Sequence, residues 1–172
     1  MKLTKQQGVI LVTALIFLLI LTVLGITSMG SAVVTEKLSQ NIRDSNTAFT
    51  AAESALSDGE SWVYSQSSIP SASTSCSTPP CNVWQLNILG TFYQQPNTWW
   101  TTNARAFSST IGGVAAQPRY VIEQYGFSPY ELSPDAYSKG KGYYYYRVTS
   151  RGTGATANAI VNLQSIYATQ YN

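Results

Sequence analysis

KQQGVILVTALIFLLILTVLG, residues 5–25, decides how the rest of this 172-residue chain is read. From Val9 to Ile26 the positions are apolar except for Thr13, Thr22 and Gly25, and no charge occurs from Gln6 to Thr35. Wound as a helix at 1.5 Å per residue, the run spans about 27 Å, close to the hydrocarbon thickness of a bilayer. The apolar core of an ordinary secretory signal is shorter, about 7–15 residues. Lys2 and Lys5 precede the run and would hold its start in the cytoplasm, which sends the remainder outward. Three readings fit. Ser28–Met29–Gly30–Ser31–Ala32 offers small residues for ordinary signal peptidase near the end of the run. A plain uncleaved anchor needs nothing further. The third turns on Gly8, at the threshold of the run, and on the segment beyond the run, from Glu36 onward.

The helical pattern does not stop at the membrane run. In EKLSQNIRDSNTAFTAAESALSDGESWV, residues 36–63, Leu38, Ile42, Phe49, Ala52, Leu56 and Val63 recur at the spacing of one helix face, with Ser45 and Gly59 where the stripe skips. No proline occurs before Pro70, so one helix is predicted from about Val9 to about Tyr64. Gly25 and Gly30 are its weak points, each about 1 kcal/mol worse than alanine in a helix. An amphipathic face must be buried on something. The partner predicted for it is a sheet from the hundred or so residues after Tyr64.

Composition restricts the chemistry. The chain is 44% hydrophobic and 10% charged, with long polar uncharged stretches in its second half, which reads as an extracytoplasmic β-rich surface. The formal charge is +2, but loss of Lys2 and Lys5 by a cut after Gly8 leaves eight basic and eight acidic residues. A neutral chain has no global attraction for nucleic acid, so nucleic acid is not expected as a partner. Arg147, Arg151, Lys139 and Lys141 could form a local basic patch, or be ordinary solvated charges. The absence of histidine removes Ser-His-Asp and Cys-His nucleophile machinery and imidazole zinc sites. Two cysteines cannot make a Cys₄ site, and nothing in the spacing of the eight acids marks a catalytic pair. Neither an enzyme nor a cofactor or small-molecule substrate is expected.

A long helix, greasy all round in one half and amphipathic in the other, joined to a polar β-rich head, is the architecture of a pilin. The chain resembles type IV pilins and pseudopilins, and among them the PilX-type minor pilins. The basic leader Met1–Gly8 looks like a prepilin peptidase site cut between Gly8 and Val9, and the resemblance implies methylation of the new Val9 amino group. FLLILTVLGITSM (17–29) and EKLSQNIRDSNTAFTAAESAL (36–56) are similar to that family's N-terminal signature, in which Asn41, Arg43, Asp44, Ala48, Phe49, Ala51, Ala52, Glu53, Ala55 and Leu56 fall on the pattern. PRYVIEQYG (118–126) and YYRVTSRGTGATANAIVNLQSIY (145–167) are similar to the end of its globular domain. The resemblance divides the chain into a leader 1–8, a transmembrane half 9–35, an amphipathic half 36–64 and a head 65–172. It implies α+β architecture, with the helix packed on an antiparallel sheet. It also implies contact with other minor pilins and the major pilin through the helix, residence in the inner membrane before assembly with the head in the periplasm, and a PilY-family adhesin as a tip partner. One position departs from the family of major pilins. Their glutamate, five residues into the mature chain, neutralises a neighbour's amino group, and here Thr13 holds that place. The departure fits a rare or tip subunit rather than the repeating body of a filament.

In the remaining sequence, Pro70, Pro79, Pro80 and Pro96 with many serines mark 65–98 as loop-rich. Cys76 and Cys81, exported to an oxidising compartment, read as a disulfide, with two free thiols as the alternative. Trp99 and Trp100 read either as a partner- or sugar-binding patch or as one core ring beside one ring at a domain edge. Strands are predicted at 119–125, 143–150 and 159–167, with a hairpin through Gly152–Thr156, giving an antiparallel meander. Tyr143 to Tyr146 read as strand residues split between two faces, not as a stacking platform. Three functions remain open: a minor pilin that primes or caps a type IV pilus, for motility or adhesion; a minor pseudopilin of a type II secretion system; and a DNA- or host-binding module at the tip.

Overall fold

The computed structural model describes residues 9–88, 90 and 94–171. The leader Met1–Gly8 lies outside the described residues. The chain forms two compact units, the first ending at Ile42 and the second running from Arg43. Helix α1, Val9–Tyr64, contributes to both. In the first unit the described side chains from Val9 to Ile42 are exposed, and the helix is long and apolar enough to cross a membrane.

The second unit carries the rest of α1 and a six-stranded mixed sheet. Strands β1 (Ala72–Ser73) and β2 (Val83–Gln85) precede helix α2 (Asn97–Asn103). After α2 come strands β3 (Arg105–Ala106) and β4 (Arg119–Pro129), helix α3 (Pro134–Ser138), β5 (Gly142–Thr153) and β6 (Ile160–Gln170). The sheet order is β1-β2-β4-β5-β6, with β3 also paired to β4. Strands β4, β5 and β6 form the predicted antiparallel meander. The expectation of a wholly antiparallel sheet needs correction, because β1–β2 and β2–β4 pair in parallel. These strands are two and three residues long and lie in serine- and proline-rich sequence. So short a segment has no room for the alternation that announces a strand.

Alternation along β4 and β5 places Tyr120, Ile122, Tyr146 and Val148 on one face, where they form a core with Ala55 and Val63 of α1. The helix residues that are buried are Ala48, Ala51, Ala52, Ala55, Gly59 and Val63. Leu38, Ile42 and Phe49, predicted to hold the head, are instead 58, 53 and 47% exposed. The reason is distance. A Cβ on Gly59 would stand 2.6 Å from Val148 Cγ1 and 2.9 Å from Tyr120 Cδ2, so the helix lies too close to the sheet for anything larger. The burying stripe, at 48, 52, 55, 59 and 63, is therefore mostly small and keeps Ala52 and Val63 of the predicted face, with Leu56 packed beside it and Leu38, Ile42 and Phe49 left outside.

On the opposite face of β4, Val121 packs with Trp84, Trp100 and Ala104 in a second cluster. Burial on both faces explains why four consecutive residues, Tyr120 to Glu123, are all buried. The pairing of β4 and β5 slips between Gln124 and Gly126, after which Phe127 lies opposite Tyr144, their rings 4.7 Å apart.

Candidate functional site

Two regions carry the residues singled out from the sequence. The first is the N-terminal stretch of α1. Thr13 Oγ1 donates to the carbonyls of Val9 and Ile10, both at 3.0 Å. Thr22, Thr27 and Thr35 turn their hydroxyls back onto the helix in the same way. Each hydroxyl is thus satisfied within its own helix, which suits a segment surrounded by apolar material. At position 13 there is no carboxylate to meet a neighbour's positive charge.

The second region is where α1 meets the β5–β6 hairpin. Asp44 accepts from Thr156 N at 3.2 Å and from Thr156 Oγ1. Gly152 and Gly154 lie beneath the helix. A Cβ on Gly152 would run into Ala48 O and Ala52 N, and one on Gly154 into the Asp44 carboxylate and carbonyl. Asp44, Ala48 and Ala52 of the N-terminal pattern therefore face the Gly-Thr-Gly of the C-terminal pattern directly. Sequence reading named both segments but did not join them. The available signal was the paired glycines at 152 and 154 in a strand end, which mark a close backbone approach.

The Thr156 hydroxyl, and then the backbone donors of Thr156 and Ala155, hold the Asp44 carboxyl below its ordinary value of 3.8, against the opposing effect of burial. A depressed folded pKa gives stability that is present above the ordinary value and lost as pH falls through the folded one. Asp44→Asn should therefore melt below wild type at neutral pH, with the difference shrinking once pH drops under 3.8. Thermal melts at the two extremes check this, and a gap that is constant with pH would refute it.

The remaining candidates separate cleanly. Cys76 and Cys81 form the expected disulfide. The bond closes so short a loop that it contributes about 2 kcal/mol by chain entropy. Trp100 is 2% exposed and Trp99 half-buried, their rings 5.8 Å apart and edge to face, with Trp84 6.2 Å from Trp99. The pair is thus one core ring and one boundary ring. The local basic patch does not assemble. Arg147 donates to Glu123 at 2.7 and 2.8 Å, which raises its pKa further, while Lys139 pairs with Asp135 at 2.9 Å. Arg151 lies with its guanidinium over the Trp100 ring. Tyr144 and Tyr146 are buried on the helix side, and Tyr143 and Tyr145 take the other face. Among the described residues no group of three or more histidine, cysteine, aspartate or glutamate side chains could hold a metal.

The arrangement is structural: a membrane-length helix, a head clamped to it by small residues and a carboxylate, and a disulfide loop. Two family models match this chain. PilX N-terminal matches residues 7–57, and type IV pilus assembly protein PilX C-term matches residues 65–169. No curated protein and no solved structure matches it. The two models meet at the clamp, one supplying Asp44, Ala48 and Ala52 and the other Gly152, Gly154 and Thr156, and the chain belongs to the PilX family, as a minor pilin of type IV pilus assembly.

Proposed function

We propose that this minor pilin primes filament assembly and stays at or near the tip in few copies. Thr13 carries the reading. Its hydroxyl is engaged by its own helix, and the place where a shaft pilin holds a glutamate offers no charge to a neighbour. A subunit with nothing above it in the filament needs none. Before assembly the helix lies in the inner membrane with the head in the periplasm. Its apolar half then beds against the major pilin and other minor pilins, and a PilY-family adhesin is the fitting tip partner. Immunogold labelling of sheared filaments tests the position: rare label at filament ends is expected, and abundant label along the shaft would overturn it. In a deletion strain the number of surface filaments should fall steeply while the length and packing of the survivors stay as in wild type. Normal filament numbers with impaired protein secretion would favour the pseudopilin role instead.

The same reading requires processing between Gly8 and Val9. Mass spectrometry of membrane-extracted protein should give a chain that begins at Val9 with a methylated amino group. A chain that keeps Met1, or one that starts near Val33, would contradict it.

A further inference from the structure

The face of the sheet turned away from α1 carries an uneven ladder of charge. Residues directly opposite on paired strands share a face. In this ladder Glu123 lies opposite Arg147, Val121 opposite Thr149, and Arg119 opposite Arg151. The first rung is neutralised by its own ion pair. The last rung sets two guanidiniums against each other. The ion pairs among the described residues, Arg147–Glu123 and Lys139–Asp135, involve neither of them. Arg119 Nη1 donates to Ala104 O and Arg151 Nη1 to Gln95 O, each at 3.0 Å. Backbone carbonyls satisfy hydrogens but do not cancel charge. Arg151 Nε is buried without a hydrogen-bond partner among the described residues. Burial also lowers the Arg151 pKa, although a guanidinium stays charged. Like charges directly opposite destabilise a sheet, so the fold tolerates here a rung that an acidic residue would repair.

Both arginines line a pocket of about 90 Å³, partly open to solvent, between α2 and the β4–β5 pair. Its other polar groups are largely taken. Gln117 gives both ends of its amide to the backbone of Ile111. The Thr153 hydroxyl is engaged with the backbone of Ala116, and that of Thr101 with Asn97 O. The guanidinium of Arg151 covers the Trp100 ring, 5.5 Å from its centroid. What remains is two positive charges, the side-chain amide of Asn97 and the methyl groups of Ala115, Ala116 and Ala157. A sugar would find no open aromatic face to stack on, because Arg151 covers the Trp100 ring. We propose that this pocket binds a carboxylate on a short apolar stem, the acidic side chain of a partner protein, with Arg119 and Arg151 as its cationic contacts. The site stands apart from the priming role, and filament counts do not bear on it.

The test uses the full chain in detergent micelles and follows the arginine Nε–H signals by NMR. Three probes are titrated: the capped peptide Ala-Ala-Glu-Ala-Ala, its glutamine counterpart, and glucuronate. Saturable shifts at Arg119 and Arg151 with the glutamate peptide are expected, with at least about tenfold weaker binding of the glutamine peptide, since hydrogen bonds to charged groups are worth that much. Arg119→Gln should weaken the glutamate peptide by a similar factor while keeping a donor for Ala104 O. If that variant does not fold, the wild-type titrations decide alone. No saturable shift with the glutamate peptide, equal binding of the glutamine peptide, or tighter binding of glucuronate would each overturn the proposal.

Discussion

Gly152→Val is expected to strip α1 from the sheet and leave the head unfolded or open to protease, and Gly152→Ala to lower the melting temperature by about 10 °C. A β-carbon at 152 has nowhere to go. It meets Ala48 O and Ala52 N and lies 2.9 Å from Ala52 Cα, all of them helix backbone that cannot swing aside as a side chain would. Overpacking a well-packed contact costs about 1–3 kcal/mol and occasionally more. Valine adds two methyl groups against the same fixed backbone, which puts it above that range of cost, and total stability is only about 5–15 kcal/mol. Gly112 provides the control, because a Cβ there meets nothing within 4 Å. Circular dichroism melts and limited proteolysis of the detergent-extracted chains read the outcome. A Gly152→Val head that melts with Gly112→Ala would mean that the helix is not held at this point.

That clamp also shows where sequence reading works and where it stops. The length of α1 was legible because nothing interrupts it: no proline before Pro70, and apolar or amphipathic pattern throughout. The meander was legible because each strand is 11 or 12 residues long, with alternation along most of β5 and β6 and with Tyr120 and Ile122 on one face of β4. The face of α1 that meets the sheet was half legible. Ala52 and Val63 of the predicted stripe are buried and Leu56 packs against the core, whereas Leu38, Ile42 and Phe49 stay exposed for a physical reason. Hydrophobic periodicity weighs large side chains, whereas a helix lying this close to a sheet buries alanine and glycine. Leu38, Ile42 and Phe49 follow the period and remain exposed, free for the neighbours that a filament would supply. The Arg119–Arg151 rung was invisible for a different reason. It depends on register between strands separated by α3, and a single strand pattern does not encode register. Cys76–Cys81 needed no such information, since a chain with two cysteines leaves one internal pairing.

Leu18→Asp should reproduce the loss of filaments expected of a deletion, with a head that is still folded. Leu18 lies near the middle of the apolar run and is 66% exposed, so in a membrane its side chain would meet lipid and, on the proposed role, in a filament another pilin. A carboxylate at the centre of a membrane helix costs about 2.5–3.5 kcal/mol on the insertion scale. That corresponds to about a hundredfold shift in the insertion equilibrium. Assembly gives the charge no relief, because the neighbouring helices are themselves expected to be apolar at this depth and burying an unpaired charge is costly. The head unit, which begins at Arg43, keeps its core and its disulfide independently of position 18. Alkylation of Cys76 and Cys81 before and after reduction therefore reports whether the head has folded, while electron microscopy counts the filaments. Leu18→Ala, apolar and a good helix former, should leave filament number near wild type. If Leu18→Asp cells carry normal numbers of filaments while the deletion does not, the head alone starts assembly and the apolar half of α1 is only a tether. If Leu18→Asp and the deletion are equally bare and the disulfide is intact in the variant, the priming step resides in the helix.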